Sequence, residues 1–338
     1  MHKFDSEKIA LVSLVLAFAA LIAVFPLGLL SALLAGLLVY NIIVFGAKSL
    51  CRNGVMPSNK IAKILLFVTI SVIVIASLSA GVVFLVSFIS DGQESIVSLI
   101  KQMADVVVTV RKSMPEWLQE YLPANIEGWQ AGLHEWLLSN ARYLSVFGRD
   151  AGMFLVHVLF GMIIGGMAAL QSSDLSNRAP LTEALKARAN CLCLAFRRVI
   201  FSQIRISALN TLLTAIFLAG IMPAVGIHLP FVKTMVLVTF IVGLLPIIGN
   251  IISNTVIVLI SLGVSPLAAV VALIYLILIH KLEYFVNAKI IGSQISAHAW
   301  EVLLAMLVMD AAFGLPGVVA APIYYAYIKS ELADRNLI

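Results

Sequence analysis

Runs of Leu, Ile, Val and Ala, long enough to cross a bilayer and almost free of charge, recur from one end of this chain to the other. As helix, roughly 20 apolar residues span about 30 Å of hydrocarbon. Stretches of that kind occupy residues 9–25, 27–47, 64–90, 151–170 and 206–227, and a less regular series follows at 234–262, 264–279 and 302–328. Membrane strands need short alternating segments, whereas these runs are unbroken. The fold class expected is all-α: a polytopic inner-membrane helical protein with about six spanning helices plus two re-entrant or broken helical hairpins in the C-terminal half. Composition points the same way, since 62% hydrophobic and 12% charged residues lie far from a soluble globule, where the shares are near a half and a quarter. With 21 Gly, 11 Pro and three Cys, the chain is no collagen-like fibre, disordered polymer or disulfide scaffold. The charge of +5 reflects basic loops beside apolar runs, so lipid is the expected partner and nucleic acid is not.

Orientation follows from Lys and Arg in the connecting segments. Residues 48–63 carry Lys48, Arg52, Lys60 and Lys63 with no acid, and residues 172–205 carry Arg178, Lys186, Arg188, Arg197, Arg198 and Arg205 against Asp174 and Glu183. Both are expected in the cytoplasm, as are the two termini. Residues 91–150 hold Asp91, Glu94, Asp105, Glu116, Glu120, Glu127, Glu135 and Asp150 and are expected outside. The organisation is thus a hairpin and basic loop (1–63), two spans flanking an outer insert (64–171), an amphipathic inner helix (172–205) and a C-terminal transport region (206–338). A basic start before Ile9–Phe25 imitates a signal peptide, but a second span follows directly after Pro26 and no clear Ala-x-Ala site separates the two, so retention is expected.

The insert has helical apolar spacing at Ile96, Leu99, Ile100, Met103, Val107 and Val110 until Pro115 and Pro123 interrupt it. Its Trp117, Trp129 and Trp136 suit amphipathic helices at headgroup level better than an aromatic ligand site. Pro180 opens the inner helix, whose Leu181, Leu185, Leu192, Phe196 and Val199 recur at helical intervals and would lie along the anionic inner leaflet. Cys51, Cys191 and Cys193 all fall on cytoplasmic segments, so no disulfide is expected. A Cys-x-Cys without neighbouring His gives no metal site.

Two apolar stretches near the carboxyl end are interrupted, one over 243–250 by Gly243, Pro246 and Gly249, the other over 313–317 by Gly314, Pro316 and Gly317. Each arm of about a dozen residues reaches only about 18 Å, too little to cross alone. Each segment is therefore a kinked span or a hairpin turning back inside the membrane. Hairpins would keep Lys281 and Lys289 on the cytoplasmic side. Paired Gly/Pro interruptions are the sequence mark of a secondary transporter's binding site, where freed backbone groups face a polar cavity.

Ionisable groups at membrane depth add candidates. Asp310 lies among apolar neighbours and should face protein, pair or hold a proton. His280, Glu283, Tyr284 and Asn287 fall at i, i+3, i+4 and i+7, one helix face, which suits either a solute path or an interfacial turn. Asn250 and Asn254 form a smaller stripe after Pro246; their plainer roles are a helix cap and an interhelical hydrogen bond. His157 reads as packing and His228 as surface. No P-loop, zinc-protease helix or G-x-S-x-G elbow occurs, so no catalytic residue, metal or cofactor is expected and the chain reads as a non-enzyme.

Over 190–330 the pattern resembles the autoinducer-2 exporter family of bacterial membrane proteins, the PerM-like permeases. Leu245-Pro246-Ile247-Ile248-Gly249 resembles its proline-glycine signature, Leu282-Glu283 through Ile290-Ile291-Gly292 its Glu-Pro-x-x-x-Gly element, and Phe313-Gly314 through Gly317-Val318-Val319-Ala320-Ala321-Pro322 its terminal block. Two departures touch the suspected substrate region: Ala288 stands where the family has Pro, and Ser296-Ala297-His298-Ala299-Trp300 replaces a Leu-x-Pro-like element. The resemblance implies export of a furanone-like signal or, as in similar proteins, Na⁺(Li⁺)/H⁺ antiport. It also implies a homo-oligomer, a pentamer, in which a mobile C-terminal part moves against a static frame. The expected function is a secondary transporter exporting a small polar solute, with cation/proton antiport and a non-transporting envelope scaffold as alternatives. Asn250, Asn254, His280, Glu283, Asn287 and Asp310 would line the path, with the six Gly and Pro residues at the tips.

Overall fold

A computed structural model describes residues 2–90, 141–171, 179–244, 248–295 and 297–335. Every regular element among these is a helix: α1 (His2–Ala23), α2 (Leu30–Arg52), α3 (Asn59–Ser90), α4 (Ala141–Leu170), α5 (Pro180–Ile216), α6 (Val232–Gly243), α7 (Ile248–Val264), α8 (Pro266–Ile295), α9 (Ala299–Phe313) and α10 (Leu315–Ala333). The insert over 91–140, with its three Trp, and Pro246 lie outside the described residues. Four stretches, Leu30–Arg52, Asn59–Val83, Arg149–Leu170 and Pro180–Ala224, are long and apolar enough to cross a membrane. On α3 only 6% of the apolar window is buried. Its Ile, Val and Leu side chains point away from the chain, which in water would be untenable and in lipid carries no penalty.

Two elements differ from the sequence reading. The basic inner helix and the span after it form one rod: α5 runs unbroken from Pro180 and continues through a π-helical turn, Phe217–Ile221, and a short helix, Met222–Ala224. No Gly or Pro falls between Leu181 and Ala219 to stop it. Likewise the run 264–279 extends to Ile295, so His280, Glu283, Tyr284 and Asn287 share one helical backbone. Their side chains lie outside the description.

The chain divides into two compact units. The first comprises Met1–Val74, Asp150–Ser202 and Ala288–Ile338. Here α2 and α4 meet backbone to backbone. A Cβ on Gly161 would stand 2.0 Å from the carbonyl oxygen of Ala32, and one on Gly165 2.1 Å from that of Gly36, so only glycine permits the crossing. The pairs advance together along both helices, which makes α2 and α4 parallel. Lys63, at the start of α3, donates to the carbonyl of Ala169 at 2.8 Å, which puts the start of α3 at the C-terminal end of α4. On another side α10 runs antiparallel to α1: Tyr324 donates to the Leu21 carbonyl at 3.0 Å, Tyr327 lies 5.9 Å from Phe18 between ring centres, and Arg335 reaches the Ala10 carbonyl at 3.4 Å. Leu21, Leu30, Leu37, Phe196, Val199, Ile323 and Tyr327 fill the core between.

The second unit, Ile75–Arg149 and Gln203–Asn287, packs the later part of α5 with α6, α7 and the start of α8. Its core is Phe217, Leu218, Met222, Met235, Ile257, Ala272 and Leu276. Tyr275 stacks on Phe217 at 3.8 Å and donates its hydroxyl to the Leu213 carbonyl at 2.9 Å. That bond spares the phenol an unpaired burial.

Candidate functional site: a polar seam at the first helix break

Where α6 ends at Gly243, its last carbonyls lose their helical partners. In a membrane no bulk water is there to take them, so protein must. Side chains of α5 do so. Ser207 donates to the Phe240 carbonyl at 2.7 Å, and Gln203 donates through Nε2 to the Gly243 carbonyl at 2.9 Å. One turn further along α5, Asn210 donates through Nδ2 to Oδ1 of Asn250, in the first turn of α7, at 2.9 Å. Ser253 closes the group with a 3.3 Å bond to the Asn250 carbonyl.

Glycine makes the approach possible. A Cβ on Gly249 would lie 2.2 Å from the Val242 carbonyl oxygen, and one on Gly243 2.7 Å from Oγ of Ser207. The chain thus turns back with its backbone in contact, and α6 and α7 pack on each other. Ser207 is 1% exposed, Asn210 6%, Thr214 1% and Ser253 1%. On the same two helices, α5 and α7, the hydroxyls of Thr211 and Ser261 are buried with no partner among the described residues. No ionisable side chain takes part in these bonds, yet amide and hydroxyl groups are concentrated at one point between apolar helices. Each Asn amide has donors and an acceptor left over. The arrangement can exchange its internal bonds for bonds to a small uncharged solute bearing hydroxyls and carbonyls.

The second break is built differently. Gly314 takes φ 63 and ψ −152, a conformation that disfavours side chains, and links α9 to α10 as a single residue. Its N–H donates to the Asp310 carbonyl at 2.7 Å. Pro316 sits in the first turn of α10, where a missing N–H is harmless. Gly317 is pressed so close that a Cβ would lie 2.1 Å from the Met309 carbonyl oxygen. The hairpin is closed at its far end by Glu301, which accepts from Lys329 Nζ at 2.7 Å, from the Tyr325 hydroxyl, and meets Nδ1 of His298 at 2.7 Å. Residues 301 and 329 would stand about 40 Å apart on one straight helix, so α9 and α10 fold back on each other. Glu301 lies outside the four long apolar stretches. Its carboxylate is held down at about 2, first by the Lys329 bond, then by those from Tyr325 and His298.

Asn250 is joined to the seam, Gly243 and Gly249 form its close turn, and Gly314, Pro316 and Gly317 form the second turn. Asn254 is half-buried one turn beyond Asn250. Asp310 is exposed, because the inward stripe of α9 is Val302, Met306, Met309 and Phe313 and residue 310 falls one step off it. The residues that sequence reasoning missed are Gln203, Ser207, Asn210 and Thr214. Their spacing of i, i+4, i+7 and i+11 marks one helix face and was visible in the sequence. Among the described residues no cluster of His, Cys, Asp or Glu converges as a metal site would.

A family model described as AI-2E family transporter matches residues 9–334. No curated protein and no solved structure matches the chain.

Proposed function

The chain belongs to the AI-2E family transporters, and from that premise we propose that it is a secondary transporter of the bacterial cytoplasmic membrane that exports a small polar solute of the autoinducer-2 type. The multi-pass character rests on the family and on four helices of spanning length. The observation that carries the finer reading is the buried seam of α5 side chains on the backbone freed at the first break. In this reading about six helices span, and the pairs α6–α7 and α9–α10 enter the membrane as re-entrant hairpins. The boundaries 1–63, 64–171, 172–205 and 206–338 separate frame from transport region, both termini lie in the cytoplasm, and several copies assemble.

Solute would displace the Asn210–Asn250 bond and be held in turn by Asn254 and, along α8, by His280, Glu283 and Asn287. Asp310, exposed on α9, is the candidate for proton coupling across a wet crevice. Gly243, Pro246, Gly249, Gly314, Pro316 and Gly317 let the tips move without side chains colliding.

Everted vesicles given a furanone diol in the outside medium test this. Uptake into the vesicle lumen that is driven by the proton gradient and lost in Asn250→Ala supports export. Correctly folded protein that moves no such solute in either direction removes the proposal.

A further inference from the structure

The first unit holds a second site, unrelated to the seam. Between α2, α4 and the start of α5 lies a groove of about 1220 Å³. Its long wall is apolar, formed by Leu33, Leu37 and Val44 of α2 against Ile164 and Ala168 of α4. The glycines that let α2 and α4 touch, Gly36, Gly161 and Gly165, also line it, so the groove is wide because side chains were removed for the crossing. Apart from Tyr40 of α2 and Cys193 of α5, its polar residues are Lys63, Gln171, Thr182, Lys186 and Asn190, which all come from helix ends or from the basic half of α5. Lys63 is fixed at the C-terminal end of α4 by its bond to the Ala169 carbonyl, which uses one of the ammonium's three donors. Among the described residues that line the groove none is acidic.

An apolar trough some helical turns long that ends in two lysines, two amides and a hydroxyl fits an amphiphile with an anionic head. A soluble solute would leave the trough wet and a zwitterionic lipid would waste the lysines. We propose that this groove binds an anionic glycerophospholipid of the leaflet facing the basic segments, its phosphate at Lys63 and Lys186 and one acyl chain along α2 and α4. The site does not depend on what the protein transports.

The test is lipid retention by the full-length protein in detergent, read by native mass spectrometry with phosphatidylglycerol, phosphatidylcholine and inorganic phosphate as separate probes. Phosphatidylglycerol should be retained over phosphatidylcholine, and free phosphate should not bind. Lys63→Gln/Lys186→Gln should lower phosphatidylglycerol retention by about 25-fold, at roughly fivefold per lysine beside an anionic headgroup, while Lys63→Arg keeps it. Ala168→Trp places bulk at an exposed position of the trough and should abolish retention without touching the lysines. Equal retention of both lipids, binding of inorganic phosphate alone, or unchanged retention in Ala168→Trp overturns the proposal. So does efficient copper-catalysed cross-linking of Ala168→Cys between copies, which would show that a second chain covers the groove.

Discussion

Truncating Asn210 to Ala removes one buried amide and strands the Oδ1 of Asn250 that accepted from it. A buried polar group left unpaired costs about 1–3 kcal/mol. Asn210→Ala and Asn250→Ala should each lower thermal stability in detergent by that order and stop transport, while the double variant loses less than the sum. Additive losses would mean the two amides do not act together. At Glu301 the sign of the pH effect is fixed by its depressed pKa, about 2 in the folded chain against 4.5 for a free carboxyl. The carboxylate's contribution is complete above pH 4.5 and drains away as pH falls toward 2. Melting curves of wild type should therefore drop through that window more steeply than those of Glu301→Gln. Parallel curves for the two proteins would detach Glu301 from hairpin stability.

Elements carry the larger penalties. Arg188 on α5 pairs with Glu331 on α10, whose side chain is only 3% exposed. Removing Arg188 alone leaves that carboxylate buried and unpaired, a loss of about 3–5 kcal/mol, whereas Arg188→Met/Glu331→Met should restore most of it. Chemical denaturation of the two variants decides, and an equally unstable double variant would point to lost packing instead. The break at Gly314 was legible in the sequence because one small residue beside Pro316 can do little else, and the structure folds the chain back there. The exposure of Asp310 was not legible because hydropathy records which neighbours are apolar, not which side of α9 packs on the rest of its unit. The α5 stripe escaped for a related reason: Ser207, Asn210 and Thr214 are small or neutral, and the apolar residues between them swamp their signal in any window as long as a membrane span. The union of the basic helix with the following span was hidden in turn by the change from charged to apolar residues near Arg205, which alters hydropathy without altering helicity.

For the whole molecule the paired-hairpin reading fixes the side on which α8 emerges as the cytoplasmic one. Lys281 is exposed. With the three native cysteines replaced, Lys281→Cys should react with an impermeant maleimide in everted vesicles and resist it in intact cells. The reverse pattern would make α6–α7 a full crossing and end the paired-hairpin topology. The parallel run of α2 and α4 brings the loop after α2 and the C-terminal end of α4 to one end of their unit through geometry alone, an argument independent of counting lysines.

That same crossing limits where movement can arise. Where Gly161 lies on Ala32 and Gly165 on Gly36, no side chain stands between the two main chains, so there is no alternative rotamer to adopt and no second way to interlock. Such a joint is welded: it holds or it comes apart. At the seam of α5, α6 and α7, by contrast, every link is a hydroxyl or amide able to trade one oxygen for another at small cost. In the transport cycle proposed above, the soft joint would exchange partners while the fused one keeps its shape.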